Sequence, residues 1–309
     1  MKTKIGNRKT MLQRMKKYWT LYALAIVSFV YLIVFRYWPI LLQFVLATRE
    51  YSILGGIWGS KFVGLENFRT LFQSAEFQRI LFNTIRISVL RLVCGFFPPI
   101  ILSVMLFDMT SAKFRKFSQN ILYIPHFFSW IIVYGIVQVL FQKTGYINHI
   151  LNFFGLESVD FLMGTKYFLS ILVGSGVWKN IGWSTIIYLA TLTSISPELY
   201  EAARLDGAGP LQRVRYITLP GMKSIIVFVL IMDLGKLLSL AGTEQILLFY
   251  NPSNYNVSDV IGTWVYRQGL GRLQYSLSAA VAVFESTIGL ILVLICNKIA
   301  NKVAGVGIW

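Results

Sequence analysis

Six long apolar blocks constrain this chain more than any other feature. They run approximately over residues 21–47, 80–106, 121–141, 168–192, 225–248 and 277–300, and a helix needs about 20 such residues to cross a hydrocarbon core. A strand barrel would need repeated segments of about ten residues that alternate apolar and polar. These blocks are long and uniformly apolar instead. Of the 309 residues, 56% are hydrophobic and only 14% charged, well under the roughly 25% charged of soluble domains. The expected fold class is an all-α integral membrane protein with six transmembrane helices.

The first block follows a basic leader, MKTKIGNRKTMLQRMKKYW. Its apolar run is too long for a signal peptide and lacks a small-residue cleavage site, so a retained first helix is expected. Lys and Arg resist translocation and set orientation. With the N-terminus inside, the inner segments hold sixteen of them and the outer loops seven, which predicts cytoplasmic N- and C-termini. The organisation expected is a basic cytoplasmic segment (1–20), a first transmembrane helix (21–47), an extracellular loop (48–79), a five-helix core (80–300) with a cytoplasmic loop at 193–223, and a tail (301–309). The formal charge of +16 sits mostly in short juxtamembrane loops, where orientation accounts for it without a nucleic-acid partner. Cys94 and Cys296 fall inside apolar blocks, as small core residues do. His126 and His149 are isolated, and no metal-ligand spacing occurs.

The chain has no G-x-x-x-x-G-K-[ST] loop, and neither GAG at 207–209 nor GMKS at 221–224 has the strand-to-helix setting of a nucleotide cradle. ATP, if it drives this protein, binds another chain. No nucleophile elbow or paired-carboxylate arrangement stands out either, so no enzymatic activity is expected. The charged stretch YEAARLDGAGPLQRVRYITLPG, residues 200–221, interrupts the apolar chain. Ser196 and Pro197 form a good helix start, Gly207 a stop, and Pro210 a second start over PLQRVRYI, with Pro220 expected to break the chain before the fifth span. On these signals alone it is either a docking knob or a solvated loop with ordinary caps.

Residue for residue this stretch resembles the EAA signature of binding-protein-dependent ABC importer permeases: E-A-A, three residues, G, nine residues, I-x-L-P. Here it reads Glu201, Ala202, Ala203, Gly207, Ile217, Leu219 and Pro220. FVGLENFRTLF (62–72), GWSTIIYLATL (182–192) and ITLPG look like the carbohydrate, maltose-type branch, and GTEQILLFYNP (242–252), VIGTWVYRQGL (260–270) and the terminal GIW resemble permeases for complex, pectin-derived oligosaccharides. Where that narrower group has Asp-Thr-Tyr-Val-Tyr, this chain has Gly262-Thr263-Trp264-Val265-Tyr266. The resemblance implies a type I ABC importer permease fold in a bacterial cell membrane, with residues 193–223 as the coupling loop that docks on the ATPase. It implies no cofactor on this chain, ATP and Mg on two partner ATP-binding subunits, a second permease, an extracellular solute-binding protein, and an oligosaccharide substrate.

Polar residues within the blocks are Arg86, Arg91, Lys179, Asn180, Asp233, Lys236 and Glu285. Charges near the bilayer centre cost several kcal/mol and usually face a cavity or a partner, so these are candidates for the substrate path. Alternatively Asp233 and Lys236 pair on one helix face, and the arginines snorkel. Trp178, Trp183 and Tyr188 suit sugar rings, or belt an interface, or pack. Pro39, Pro98 and Pro99 are expected to kink or break their helices. GYINHILNFFGL has the period of an amphipathic surface helix. The rival functions are an ion-driven secondary transporter, with Asp233 and Glu285 as ion sites, and an ABC permease for a non-sugar solute.

Overall fold

A computed structural model describes residues 17–308; the basic leader up to Lys16 and the terminal Trp309 lie outside the described residues. Helix α1 covers Trp19–Ala47. None of its residues from Trp19 to Leu32 is buried, and only its last stretch, Trp38–Ala47, packs on the C-terminal helix. A hairpin follows, β1 (Arg49–Ser52) against β2 (Ser60–Phe62), antiparallel with Arg49 opposite Phe62. These strands are too short to show as alternation in the sequence. Asn67, on α2 (Glu66–Gln73), ties the hairpin to α1 by donating to the carbonyls of Ala47 and Arg49, each at 2.9 Å.

Helix α3, Ala75–Asp108, is continuous over 34 residues. Its start is capped by Ser74, whose hydroxyl accepts from the Phe77 N–H at 3.4 Å. Pro98 and Pro99 sit inside it and do not break it, so of the kink or break expected there the break does not occur. The neighbouring bundle holds the helix where a proline has removed a rung of its ladder.

Pro39 and Pro220 are accommodated by a common device. Each stands two residues past the end of a π-helical turn, Ile33–Tyr37 and Val214–Thr218. The residue before each proline donates back five positions, Trp38 to the Ile33 carbonyl and Leu219 to the Val214 carbonyl. A π turn shifts the ladder by one residue, so the missing proline N–H interrupts a register that has already slipped. The short helix expected after Pro210 and the break expected at Pro220 are thereby corrected: one helix, α9, runs Pro210–Gly235.

The third apolar block is broken. Helix α4 (Ala112–Tyr123) passes into a 3₁₀ turn, Ile124–Phe127, and the chain bends by 104° into α5 (Trp130–Phe141) and α6 (Tyr146–Phe153). Pro125 in the 3₁₀ turn and Ser129, which caps α5 by accepting from Ile132 N–H at 3.3 Å, mark the corner. Helix α6 falls in the stretch read as amphipathic, and its buried Asn148 donates to the Gln142 and Val159 carbonyls.

Helix α7, Phe168–Leu192, packs along α3, and α9 packs on the last helix, α12 (Tyr275–Ala304). There Gly235 meets Gly289, where a Cβ would lie 2.5 Å from the Gly235 carbonyl oxygen. The fifth apolar block does not continue as helix to residue 248. It ends at Gly235, turns through a 3₁₀ segment Leu237–Ala241, and restarts as α10 (Thr243–Phe249) after Gly242, whose φ of 75° only glycine adopts readily. Four helices pass on length and apolarity as membrane spans, and the bent pair makes a fifth. Helix α7 has the length, but Ser170, Ser175, Lys179, Asn180, Ser184 and Thr185 dilute its hydropathy.

Between α10 and α12 the chain folds over the start of α3. Thr84 Oγ accepts from the Ile261 N–H at 2.9 Å, and Asn83 donates to the Asn256 and Asp259 carbonyls. Arg267 bridges Asp259 at 2.7 Å and Glu76 at 3.2 Å. The bond to Asp259 raises the guanidinium pKa above its ordinary value. Gly262, on α11 (Ile261–Val265), is pressed so closely on the Thr243 side chain that any Cβ would overlap it.

Candidate functional site

The EAA segment builds a projection at the end of the bundle where α3 and α7 finish. Helix α8, Pro197–Leu205, is capped at both ends. Ser196 Oγ accepts from the Glu198 N–H at 3.3 Å. At the other end Gly207 takes φ of 78°, the Ala208 N–H reaches the Ala203 carbonyl at 2.8 Å, and the Gly207 N–H reaches Arg204 at 3.1 Å. This is the paired 6→1 and 5→2 pattern of a glycine C-cap. The turn then hands over to α9, whose start is fixed by Gln212 Oε1 accepting from the Gly209 N–H at 2.8 Å.

Glu201, Ala202 and Gly207 are exposed, Ala203 and Ile217 half-buried, and Leu219 and Pro220 lie exposed on α9. A cavity of about 650 Å³ separates the projection from the bundle end, with Glu201, Arg204 and Arg213 on one wall and Phe107, Asp108 and Arg115 on the other. The most exposed large apolar side chains of the projection are Leu205 (89% exposed) and Leu211 (85%), on either side of the Gly207 turn. Tyr200, which sequence reasoning passed over, anchors the projection: its hydroxyl lies 3.1 Å from the buried Thr218 Oγ1, and its ring lies 5.7 Å from Phe107. An aromatic on an otherwise polar, exposed helix was the available signal.

The polar residues of the spans divide between two places. Lys179 belongs to the corner of the broken block. Its ammonium donates to the His126 and Phe128 carbonyls, both at 2.6 Å, and sits 5.5 Å from the Trp130 ring centre. Asn180 Oδ1 lies 3.2 Å from His126 Nδ1, and Trp183 stacks on the His126 ring with centroids 4.5 Å apart and planes 6° from parallel. Gly182 lets α7 touch the Leu122 carbonyl, where no Cβ fits. One face of α7 thus serves to hold the corner together.

The second place is a cavity of about 250 Å³ between α3, α7 and α9, lined by Arg91, Phe96, Asn180, Ser184 and Asp233 among others. Gln245, on α10, accepts from Arg91 and donates to the Leu172 carbonyl and Ser175 Oγ, both at 2.9 Å. The guanidinium lies against Gly242 and Gly176, and any Cβ at Gly242 would overlap it. Arg86, Trp183, Tyr188, Lys236 and Glu285 do not line this cavity. Arg86 and Lys236 are exposed, Glu285 is half-buried on α12, and Tyr188 is 2% exposed in an apolar cluster with Phe96, Ile100, Leu192 and Met222. Lys236 follows the end of α9 and forms no salt bridge with Asp233. Trp178 lines a separate, apolar cavity of about 530 Å³ beside Phe141, Phe161 and Tyr167. Among the described residues no three His, Cys, Asp or Glu side chains gather as a metal site would require.

The chain is 40% identical over 303 residues to the polygalacturonan/rhamnogalacturonan transport system permease protein YteP of Bacillus subtilis (strain 168), covering 98% of this chain and 94% of that one. It is 29% identical to the arabinooligosaccharides transport system permease protein AraP of the same organism, over 89% and 86% of the two chains. Among solved structures it superposes with a TM-score of 0.88 at 36% identity on a chain of a bacterial alginate ABC transporter in complex with alginate pentasaccharide-bound periplasmic protein, covering 97% of this chain and 100% of that one. Residues 98–304 match the family described as binding-protein-dependent transport system inner membrane component. The match begins inside α3 and runs to the end of α12, so it takes in the projection and the α7 and α9 walls of the cavity but not Arg91 or Phe96; the chain belongs to this family of multi-pass membrane permeases of ABC transporters.

Proposed function

We propose that this chain is the permease subunit of an ATP-driven importer that passes an oligosaccharide, delivered by an extracellular solute-binding protein, across a bacterial cell membrane. The observation that carries the reading is the doubly capped α8, a knob joined through the four-residue turn at 206–209 to the span α9. A force applied to the knob reaches the spans through Tyr200 and Thr218 and through the continuous helix. The relatives' oligosaccharide and polysaccharide substrates support the choice of solute.

The rest of the assembly belongs to the same proposal. A second permease completes the pathway, and two partner subunits bind ATP and Mg and dock on Glu201, Ala202, Ala203, Gly207, Ile217, Leu219 and Pro220. Six crossings, with α7 as the least apolar of them, leave both termini in the cytoplasm beside the knob. Arg91 and Asp233 face the path, while Lys179 and Trp183 act on the corner. Family membership displaces the ion-driven carrier as the alternative.

The test uses the reconstituted complex with Gly207→Leu and Glu201→Lys. A Cβ at Gly207 meets no atom of this chain within 4 Å, so the cost of the leucine to the chain's own fold is that of a left-handed backbone position, about 1 kcal/mol. That is too little to unfold the bundle. Both variants are expected to assemble and to lose substrate-stimulated ATP hydrolysis and uptake together. Normal stimulation and uptake in both would reduce the projection to a surface loop and remove the basis of the proposal.

A further inference from the structure

We propose that α6 is an interfacial anchor: its face carrying Tyr146, Ile150, Phe153 and Phe154 lies in the outer leaflet of the lipid bilayer and fastens the outer end of α5. The proposal rests on the importer topology given above. From Tyr146 to Phe154 the chain has no Asp, Glu, Lys or Arg. At about 100° per residue, Tyr146, Ile150 and Phe153 share an arc of about 60°, with Phe154 on one flank and His149 on the other. All five are exposed, Phe153 by 85% and Phe154 by 71%, and the two phenylalanine rings meet edge to face at 5.5 Å. A surface helix turned to water carries charge on its outer face. This one carries aromatic rings instead, the pattern of a helix lying in a membrane interface.

The rotation of α6 is fixed from its opposite side. Asn148, 1% exposed, donates to the Gln142 and Val159 carbonyls at 3.1 and 2.9 Å and accepts from the Val159 N–H at 2.7 Å. With those three bonds made, the apolar face cannot turn inward. Its level follows from the neighbouring spans. The Phe161 ring lies 5.7 Å from Phe141, the last residue of α5, and 5.1 Å from Tyr167, just before α7, so the loop is pinned to both helix ends. Lys143 and Lys166 stand exposed beyond those ends, Lys166 5.1 Å from the Tyr167 ring centre, and such lysine and tyrosine pairs sit at the headgroup level. Helix α5 has 12 residues, a rise of about 18 Å against a hydrocarbon core of about 30 Å, so its length alone does not hold it in register with the membrane. Exposed Glu157 and Asp160 balance the two lysines, which leaves apolar burial rather than anionic lipid as the source of the attachment. A transient contact with a soluble protein is about as apolar as ordinary surface. Here only the Tyr146 hydroxyl is polar on the face, which favours lipid over the solute-binding protein as its occupant.

The experiment attaches a nitroxide, one site at a time, to Ile150→Cys, Phe153→Cys and His149→Cys in the complete complex with its native cysteines replaced, reconstituted in phosphatidylcholine liposomes. Each label's accessibility to dissolved oxygen, which concentrates in lipid, is divided by its accessibility to a water-soluble nickel chelate. The ratio is expected to be several-fold higher at Ile150→Cys and Phe153→Cys than at His149→Cys, and to stay so when anionic lipid is added or the salt raised. Equal ratios at the three sites would overturn the anchor. So would shielding of Ile150→Cys and Phe153→Cys from both reagents, which would assign the face to the second permease. Shielding that appears only when the solute-binding protein is added would overturn it in favour of a docking surface. The topology is read separately, by treating cells that carry His149→Cys with a membrane-impermeant thiol reagent. Reaction from outside is expected; reaction only in inside-out vesicles would overturn the importer topology, whatever the ratios show.

Discussion

Replacing Lys179 by methionine is expected to open the 104° corner of the third apolar block. The side chain is 8% exposed, and its ammonium satisfies two backbone carbonyls, His126 and Phe128, each at 2.6 Å. Methionine keeps the length and removes the donors. Each carbonyl left dry and unpaired costs about 1–3 kcal/mol, so the pair costs about 2–6 kcal/mol, before allowing for the desolvation that the lost ammonium no longer incurs. The cation also complements the C-terminal dipole of the helix that ends at Phe127 and faces the Trp130 ring. A net local loss of about 2 kcal/mol corresponds to about 30-fold faster opening at 1.4 kcal/mol per decade. Hydrogen exchange of the backbone amides from Phe127 to Val133, measured on the purified complex, reads this directly. Lys179→Gln, whose neutral amide still donates two N–H groups, is expected to fall between methionine and lysine. Equal exchange rates in all three proteins would show that Lys179 does not hold the corner, and the assignment of α7's polar face would fail with it.

Other expectations follow from the same geometry. Gly182→Ala places a methyl against the Leu122 carbonyl, a backbone atom that cannot rotate away, and is expected to cost about 1–3 kcal/mol, read as a lowered Tm of the complex. Arg267→Gln takes the cation from Asp259, whose side chain is 3% exposed and retains the Thr263 hydroxyl as a donor at 2.7 Å, and is expected to destabilise by about 1–3 kcal/mol once the 28% exposure of Arg267 is allowed for; Asp259→Asn in the same chain should restore part of the Tm. Leu205→Ser changes a side chain that is 89% exposed, so Tm is expected to stay unchanged while substrate-stimulated ATP hydrolysis falls. An unchanged ATPase there would place the docking contact elsewhere on the projection.

Local chemistry made some of this architecture readable from the sequence. The start of α8 at Ser196 and Pro197 and its end before Gly207 follow from capping, and capping depends on four or five consecutive residues. The apolar blocks likewise report burial in lipid, which any one helix shows by itself. What escaped depends on a second element arriving from far along the chain. Asp233 and Lys236 are spaced to pair on a helix, yet the helix stops between them because Gly235 meets Gly289 on α12 and the chain must turn beneath Arg91. The corner at 124–129 is stabilised from α7, more than fifty residues away, so nothing within the third block announces where it bends.

The prolines show the same limit from the other side. Pro220 and Pro39 look like helix breakers only if the ladder preceding them is assumed to be α-helical, and the π turns before them leave no compositional mark: VRYIT and IVFRY have ordinary helical composition. A π turn costs regularity. In α9 the turn lies between the projection and the span, at Thr218, the residue that Tyr200 grips. The Thr218 hydroxyl lies against Tyr200 of α8 while Leu219 and Pro220 continue the span, so the motif's I-x-L-P ending lies where projection and span meet. Substituting Pro220 by alanine restores an N–H that favours a regular α-helical ladder through Tyr216. It is expected to rotate the residues before it by up to one position, pull Thr218 out of reach of Tyr200, and weaken coupling without loosening either helix. A Pro220→Ala complex that keeps full substrate stimulation would show that the π turn is incidental to the joint.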